Sequence, residues 1–582
     1  MLAFGKRKFL SLLPSASFSA AVLSLSGVLM FINVGHLLGE SSLAAVNIAN
    51  PATTVVAFVA SLLSLGTSVV RGLALGRGDR DAADRVFSTG VFAAVGAGLV
   101  MVAAFVLFSD RFIDLLGAGA EISRQAKWFL RGYTPAVFTT PLAVVLLTAV
   151  IMDGGARLGA VASGLRVLVQ FVLQITLLQR FGIVVSAFAA FVSDLAMIAL
   201  LCVHFRSVRN SLRLKPAFSF SALRRIVASS IGDAGATLCN VVVNVVLIAL
   251  ITRFYGDAQL AVLACYMMAL SLVEVMNGVG NALAPVVSVY VGERNPRAVV
   301  AVSRLAELIA IGEGLMATAF FLAFPEVIVK LVGLTPGELP ADVLTLIRLA
   351  VLGFTGHSLA YLYNTYYICI ERPGLSALVC YLEGFILPAA LTLAFGWMCP
   401  TALWTAIGVA PLAAIAVFAA VLLVLLRRRP LAHHGHFPLM VDDSRAEKIT
   451  MFSIKTEPKE IVAAAQWVRE LTGIYRAALM TEEVLMAVRD HNGGRALNAE
   501  VAIDFNDSVM LTLRDDGEIF DITDEDQRIS SLRTYLVSTL MSKQKVRQHF
   551  LTTGFNRNIF RFQPITERKI QFDGNLARGT QG

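Results

Sequence analysis

The amino-acid sequence predicts a polytopic α-helical membrane protein with about twelve transmembrane helices as two parallel six-helix repeats, plus a C-terminal cytosolic α/β sandwich domain. Three observations carry that expectation. Of 582 residues, 56% are hydrophobic and only 15% charged, outside the range of ordinary soluble domains. Twelve apolar runs are long enough to cross a hydrocarbon core of about 30 Å. A set of polar landmarks also recurs at one spacing in the two halves, which marks internal duplication.

In the first half the apolar runs fall near 10–38, 48–75, 86–108, 128–152, 158–178 and 182–205. In the second they fall near 226–252, 258–290, 299–324, 343–370, 375–397 and 402–426. Six spans per repeat bring both halves in from the same side, so an axis along the membrane normal relates them. Gly39-Glu40-Ser41-Ser42-Leu43-Ala44 returns 217 residues on as Gly256-Asp257-Ala258-Gln259-Leu260-Ala261. Gly76 before Arg77-Gly78-Asp79 returns after 216 as Gly292 before Glu293-Arg294-Asn295. Asp153, before a glycine- and arginine-rich turn, is matched after 218 to Glu371 before Arg372-Pro373-Gly374. The expected divisions are 1–220 and 221–430 for the two halves, a linker over 431–445, and a tail domain over 446–582. Duplication of this kind is how many transporters build a central path.

Lys and Arg are retained on the cytoplasmic side of short loops. Lys6-Arg7-Lys8, then Arg71, Arg77, Arg80 and Arg85, then Arg206 to Arg225, and finally Arg427-Arg428-Arg429 all fall on one side of a twelve-helix arrangement. Both termini are therefore expected in the cytosol. The first apolar run lacks the short core and small-residue cleavage site of a secretory signal and reads as a retained helix. Six cysteines lie in or beside spans without a CxxC pair, so neither a disulfide framework nor a zinc site is expected. His433, His434 and His436 belong to a Pro- and His-rich joining stretch.

A charged or amide side chain in hydrocarbon costs on the order of 2.5 kcal/mol or more and so faces a bundle interior or a watery cavity. Arg166, Gln170 and Gln174 recur at i, i+4 and i+8 on the fifth span, one stripe of a helix. Asp233, Thr237, Asn240 and Asn244 form a stripe on the seventh, Glu274, Asn277 and Asn281 on the eighth, and His357, Tyr361 and Asn364 on the tenth. Four polar stripes imply a polar lumen, although interhelical hydrogen bonding alone is a competing account of the amides. Asp194, Glu313 and Glu383 add isolated acids on the sixth, ninth and eleventh spans. An acid there needs a cation, a proton or a coupling ion. Asp194 has a ready partner in Arg166, whereas Glu274 has no basic partner on its own helix and is the first candidate for ion coupling, ahead of Asp233 and Glu383.

Over residues 10–426 the pattern resembles the multidrug and toxic compound extrusion family. The residues that carry the resemblance are Val34-Gly35-His36-Leu37-Leu38-Gly39, Leu43-Ala44-Ala45-Val46-Asn47, Ala74-Leu75-Gly76-Arg77-Gly78-Asp79, Met152-Asp153-Gly154-Gly155 and Ile370-Glu371-Arg372-Pro373. The resemblance implies an antiporter that alternates between inward- and outward-open states and expels organic, often cationic, compounds against inward protons or sodium. Many members carry an acid in the first span where Met30 falls here, and a glutamate near the level of Asn240. Coupling would then run through Glu274, Asp233, Asp194 or Glu383. The expected setting is a bacterial cytoplasmic (inner) membrane, with a monomeric transporter whose partners are lipid and a small-molecule cargo, no nucleic acid and no enzymatic role.

After Arg429 the composition becomes that of a small soluble domain. Helices are expected over 458–472, 477–491 and 529–541, and strands over 499–505, 508–514, 546–552 and 556–562. The tail resembles the ATP-binding domain of histidine kinases and anti-sigma-factor kinases, on Thr481-Glu482-Glu483-Val484-Leu485-Met486-Ala487, Leu513-Arg514-Asp515-Asp516-Gly517-Glu518-Ile519-Phe520-Asp521 and Thr553-Gly554-Phe555-Asn556-Arg557-Asn558-Ile559-Phe560. The resemblance gives Asp515 and Gly517 a place at a nucleotide's adenine. The family's metal-holding asparagine falls at Ala487, and 524–540 holds no glycine for a phosphate loop, which implies a degenerate regulatory or nucleotide-sensing domain, with a cytosolic protein as a further partner. Two other functions stand beside export: a flippase for a lipid-linked precursor, and a tethered signalling protein whose tail sequesters a partner.

Overall fold

The computed structural model describes residues 4–115, 120–207, 210–255, 257–331, 342–428, 433–442, 449–505, 509–520, 522, 547–552 and 555–562. Within these, the side chains of Asp233, Thr237, Asn240, His433, His434 and His436 lie outside the described set. So do Gly256 and the glycine-free stretch 524–540, together with the helix expected over 529–541. The chain divides into two compact units, Met1–Ala446 with Leu551–Gly554, and Glu447–Phe550 with Phe555–Gly582.

In the first unit α1 (Phe4–Leu38), α2 (Glu40–Gly76), α3 (Arg80–Leu115), α4 (Ala120–Met152), α5 (Ala156–Phe181) and α6 (Ile183–Cys202) make the first half. The second half begins with α7 (Phe220–Phe254). Its eighth span is α8 (Asp257–Val273) and α9 (Asn277–Gly292), joined by a 3-10 turn at Glu274–Met276. Then come α10 (Pro296–Ala323), a short α11 (Pro325–Leu331), and a tenth span of α12 (Val343–Ala350) and α13 (Phe354–Cys369) about a second 3-10 turn, Val351–Gly353. The eleventh is α14 (Pro373–Tyr381) and α15 (Leu387–Phe395) about a π turn at Leu382–Ile386, and the last is α16 (Pro400–Arg428). Among the described residues, eleven helical stretches are long and apolar enough to cross a membrane, and α7, of 35 residues, stands where the seventh span is expected.

The turns establish the repeat. Asp153, Gly154 and Gly155 donate their amides to the carbonyls of Ala149, Ile151 and Val150, while Ile370, Glu371 and Arg372 donate to Tyr366, Ile368 and Tyr367. Gly154 and Glu371 both have positive φ, +91° and +58°. Gly154, not Asp153, is therefore the counterpart of Glu371, and the offset of 218 is corrected to 217. The landmark resemblance came from the acidic side chains, whereas the backbone aligns on its left-handed residue. Gly78 and Arg294, at φ +76° and +61°, keep the offset of 216.

Asp153 instead organises the first half from within. Arg71 Nη2 lies 3.0 Å from its Oδ1 and 2.9 Å from Ser211 Oγ, and His204 Nε2 lies 2.9 Å from its Oδ2. The Ser211 amide donates to Oδ2 at 2.8 Å, and its hydroxyl donates to Oδ1. One carboxylate thus joins α2, the ends of α4 and α6, and the crossover between halves. That crossover is tied further by Lys215 Nζ to Asp81 and Asp84, at 2.8 and 3.0 Å, by the Lys215 amide to Ser88 Oγ and by the Ser219 amide to Thr89 Oγ1.

Beyond α16 the expected linker contains a hairpin, β1 (His433–His436) with β2 (Leu439–Asp442), that belongs to the first unit. Tyr367 donates its hydroxyl to the Pro438 carbonyl at 2.6 Å, and Leu439 is buried. The second unit is a five-stranded sheet of β3 (Ile449–Lys455), β4 (Asn498–Asp504), β5 (Val509–Asp515), β6 (Arg547–Thr552) and β7 (Phe555–Phe562), in the order β3-β4-β5-β7-β6. Two helices, α17 (Pro458–Thr472) and α18 (Tyr475–His491), share a core with it. In α17 the buried Ile461, Ala464, Ala465, Val468 and Thr472 follow helical spacing between Pro458 at the first turn and Gly473, which ends it at φ +66°. β3 was absent from the sequence-based expectation, since its alternation in ITMFSIK is interrupted by Phe452, an exposed apolar residue.

Burial alone would raise Asp153, but His204, the Arg71 charge and both Ser211 hydrogen bonds hold its carboxyl below the ordinary value. The group therefore stabilises the fold above the carboxylate range, near pH 4, and the contribution is lost as pH falls through the lowered value. Asp153→Asn leaves Arg71 buried without its counter-charge and should cost about 3–5 kcal/mol. Thermal unfolding of the purified protein, compared at pH 7, checks it.

Candidate functional site

The three irregular turns of the second half bring its ionisable groups together. Glu274 opens the 3-10 turn of the eighth span, His357 follows the 3-10 turn of the tenth by four residues, and Glu383 sits in the π turn of the eleventh. Pro388 accounts for that last turn: it has no N–H, and its ring displaces the carbonyl of Gly384 four residues earlier, so the ladder widens. Across these turns His357 Nδ1 meets Glu383 Oε1 at 2.8 Å, with both side chains about one-fifth exposed. Glu274 acts electrostatically on the same imidazole. Its Oε2 accepts a hydrogen bond from Ser24 of α1, the contribution of the first half to the site.

Nearby on the same helices, Tyr361 donates to Asn281 Oδ1 at 3.0 Å. His357 Nε2 and Asn277 Oδ1 are buried with no hydrogen-bond partner among the described residues. Glu313, on α10, has a buried Oε2 in the same condition. The His357–Glu383 pair, with Glu274 acting on the same imidazole and polar atoms beside it that lack partners among the described residues, is chemically able to exchange a proton.

The first half is arranged otherwise. Arg166 Nε lies 2.6 Å from Asp194 Oδ1, while Thr140 and Thr139 donate to Oδ2 at 2.6 and 3.1 Å. Asp194 is wholly buried and fully partnered. The rest of the Arg166 stripe departs from a lumen lining: Gln170 accepts from Ser26 at 2.7 Å, and Gln174 accepts from Asn33 at 2.9 Å. Both glutamines are buried, so in this conformation they join α5 to α1, because a buried amide must find partners and α1 supplies them. Asn244 is half-buried, and the side chains of Asp233 and Asn240 lie outside the described residues. Asn364, the third member of its stripe, is buried and accepts from Ser376 of α14 at 2.6 Å.

Sequence reasoning missed Ser24 as the partner of Glu274, and also the pair of Tyr363 with Glu307 at 2.8 Å. Glu307 lies in an otherwise apolar run on α10, and its charge was the available signal.

In the second unit Asp515 and Gly517 are brought together, but their polar groups are satisfied within the chain. Asp515 Oδ1 accepts from Asn556 Nδ2 at 2.8 Å and from the Gly517 amide at 3.1 Å. Asn556 is its cross-strand partner on β7. A Cβ at position 517 would lie 2.7 Å from Asn492 Nδ2 and Leu497 Cδ1, so a larger residue there would push both side-chain ends aside. Among the described residues no group of three or more His, Cys, Asp or Glu could hold a metal ion.

The model of the MatE family matches residues 15–176 and 234–392. The fold is similar to that of an outward-facing multidrug resistance MATE family transporter of the MOP superfamily, at 19% identity and TM-score 0.67, over 73% of this chain and 97% of that one. It is equally similar to a MOP superfamily transporter from Pyrococcus furiosus, described as having a binding pocket of reverse polarity, at 18% identity, TM-score 0.67 and the same shares. A MATE structure in complex with MaL6 gives 18% identity and TM-score 0.66, over 73% of this chain and 98% of that one. No curated protein matches the sequence.

Burial pushes the Asp515 carboxyl up to about 7, against Asn556 and the Gly517 amide, which favour the charged form. The folded unit then holds a proton that the unfolded chain releases, so folding weakens as pH rises from about 4 to about 7. Asp515→Asn keeps the Oδ1 acceptor and removes the penalty. It should raise the unfolding midpoint of the second unit at pH 8 by several degrees, on the order of 1–2 kcal/mol, and leave it nearly unchanged at pH 4, as followed by calorimetry.

Proposed function

Because the chain belongs to the MatE family, we propose that it is a secondary active efflux antiporter, exporting small organic cations in exchange for protons or sodium by alternating access. The observation that carries this reading is the Glu274, His357 and Glu383 centre. A carboxylate in a low-dielectric cavity is tolerated only with a proton, a coupling ion or a cationic cargo, and these compete for it. Binding of one displaces another, which is the exchange that antiport requires. Asp194 is less suited to cycling, since Arg166 and two threonine hydroxyls already neutralise and satisfy it.

Pocket polarity differs among proteins of this fold, so the charge of the cargo is argued from this chain's own residues. Arg166 is paired, and the unpaired polar atoms of His357 and Asn277 lie beside acids. That favours cations over the pyrophosphate of a lipid-linked precursor. Tyr361 and Asn244, with Asn240 and Asp233, complete the expected cavity. The basic end, with Arg77, Arg80 and the Arg427-Arg428 pair, is assigned to the cytosol of a bacterial inner membrane, and both termini with it.

The tail is assigned a regulatory role. Asp515 and its internal partner Asn556 support a domain that has lost turnover, with nucleotide recognition competing against that hydrogen bond. A cytosolic protein partner is the other reading of the same unit.

Three outcomes test the proposal. In proteoliposomes with imposed proton or sodium gradients, Glu274→Gln should lower gradient-driven export of an organic cation by at least about tenfold while the protein remains folded, because glutamine keeps the shape but cannot alternate between charged and neutral forms. Wild-type rates with unchanged pH and sodium dependence would remove Glu274 from the mechanism. Truncation after Ala446, which retains the β1–β2 hairpin, should leave export active with altered regulation, and the full-length protein should show no ATPase activity above a blank.

A further inference from the structure

We propose that Arg77 and Glu371 form a latch across the two halves, lying over a glycine seam that must part for the chain to open at its basic end. The inference rests on the alternating-access reading and names the element that gates it.

The seam is formed by repeat-equivalent residues. A Cβ built on Gly76 would lie 2.7 Å from Gly292 Cα and 2.2 Å from the Val289 carbonyl oxygen, and one on Gly292 would lie 2.4 Å from the Leu73 carbonyl oxygen. One helical turn earlier, a Cβ on Gly72 would lie 2.1 Å from Ser288 Oγ. Each pair is 216 residues apart, so the pseudo-twofold axis runs between α2 and α9 at this end. Backbone touches backbone there, leaving no room for water or cargo.

Immediately outside the seam the symmetry breaks. Arg77 Nη2 of the first half lies 2.7 Å from Glu371 Oε2 of the second. The equivalent positions are Glu293 and Gly154, which cannot form the same pair. Glu371 also holds φ at +58°, a region L side chains rarely adopt, at the position where the other half has glycine. The chain therefore keeps a carboxylate where glycine is the easier residue, and Arg77 is the group that carboxylate meets. Both side chains are about half exposed, at 44% and 53%, so the pair biases the closed state without locking it. Exposed pairs of this kind shift an equilibrium by about twofold to fivefold, and less at high salt.

The test uses full-length protein in lipid nanodiscs, with the six native cysteines replaced and spin labels at Arg80 and Gly374, exposed positions beside the two turns. Arg77→Glu and Glu371→Arg should each enlarge the long-distance population by at least about twofold, and the double exchange should restore the original distribution. Glu371→Gly should enlarge that population while keeping or raising the thermal midpoint, because it removes the pair and relieves the backbone together. Unchanged distributions in the single reversals, or a double exchange that fails to restore the original, would overturn the latch. Distances are read without cargo or gradient, so a protein that does not export cations can still support the latch, and one that exports normally can still refute it.

Discussion

An ionised side chain in hydrocarbon has to be neutralised or wetted, and the contacts of the acids in the membrane unit answer that demand. The two halves answer it in opposite ways. In the first, Asp194 is enclosed by Arg166, Thr139 and Thr140, and the amides of Gln170 and Gln174 are taken up by Ser26 and Asn33. In the second, His357 and Glu383 meet while partly exposed, Glu274 leans on a single serine of α1, and His357 Nε2 is left without a partner among the described residues. A closed network holds shape, and a partly open one can change occupancy. Among the described residues, the closed network lies in the first half and the partly open one in the second.

The position of the second half's Glu274 and Glu383 follows from backbone chemistry. Pro388 forces the π turn that carries Glu383, and glycines at 278 and 280 follow the 3-10 turn that carries Glu274. Among the described residues, the interiors of the first six spans contain no such interruption. Where the ladder is irregular, the regular pairing of carbonyls and amides is broken and the helix can bend.

Much of this was legible in the sequence because hydropathy and helical spacing are local signals. Helices cover the twelve apolar runs, eleven of them long and apolar enough to cross a membrane among the described residues. Two of the three expected tail helices lie where they were expected, the third falling outside the described residues, and the pairing of Arg166 with Asp194 followed from two charges on neighbouring spans. Contacts set by distant parts of the chain were not legible. Ser24 and Glu274 are 250 residues apart, and nothing in an ordinary serine of an apolar run announces its partner. The Asp153 to Glu371 match failed for a related reason: an acid is conspicuous in a sequence, while the backbone angle that aligns the turns is not. The glutamines were placed on the correct stripe, but periodicity identifies a face of a helix, not whether water or another helix covers it.

The crossover between halves is often pictured as slack, yet here residues from Ser211 to Ser219 are stapled to the first half at Asp153, Asp81, Asp84, Ser88 and Thr89. Ser219 makes the last of those attachments and also caps α7, its Oγ accepting from the Ala222 amide. A strap fixed along its length stores no play. The hold continues into α7, where Ser230 donates its hydroxyl to the Leu62 carbonyl of α2 at 2.6 Å, so the start of the second half stays anchored to the first well past the crossover.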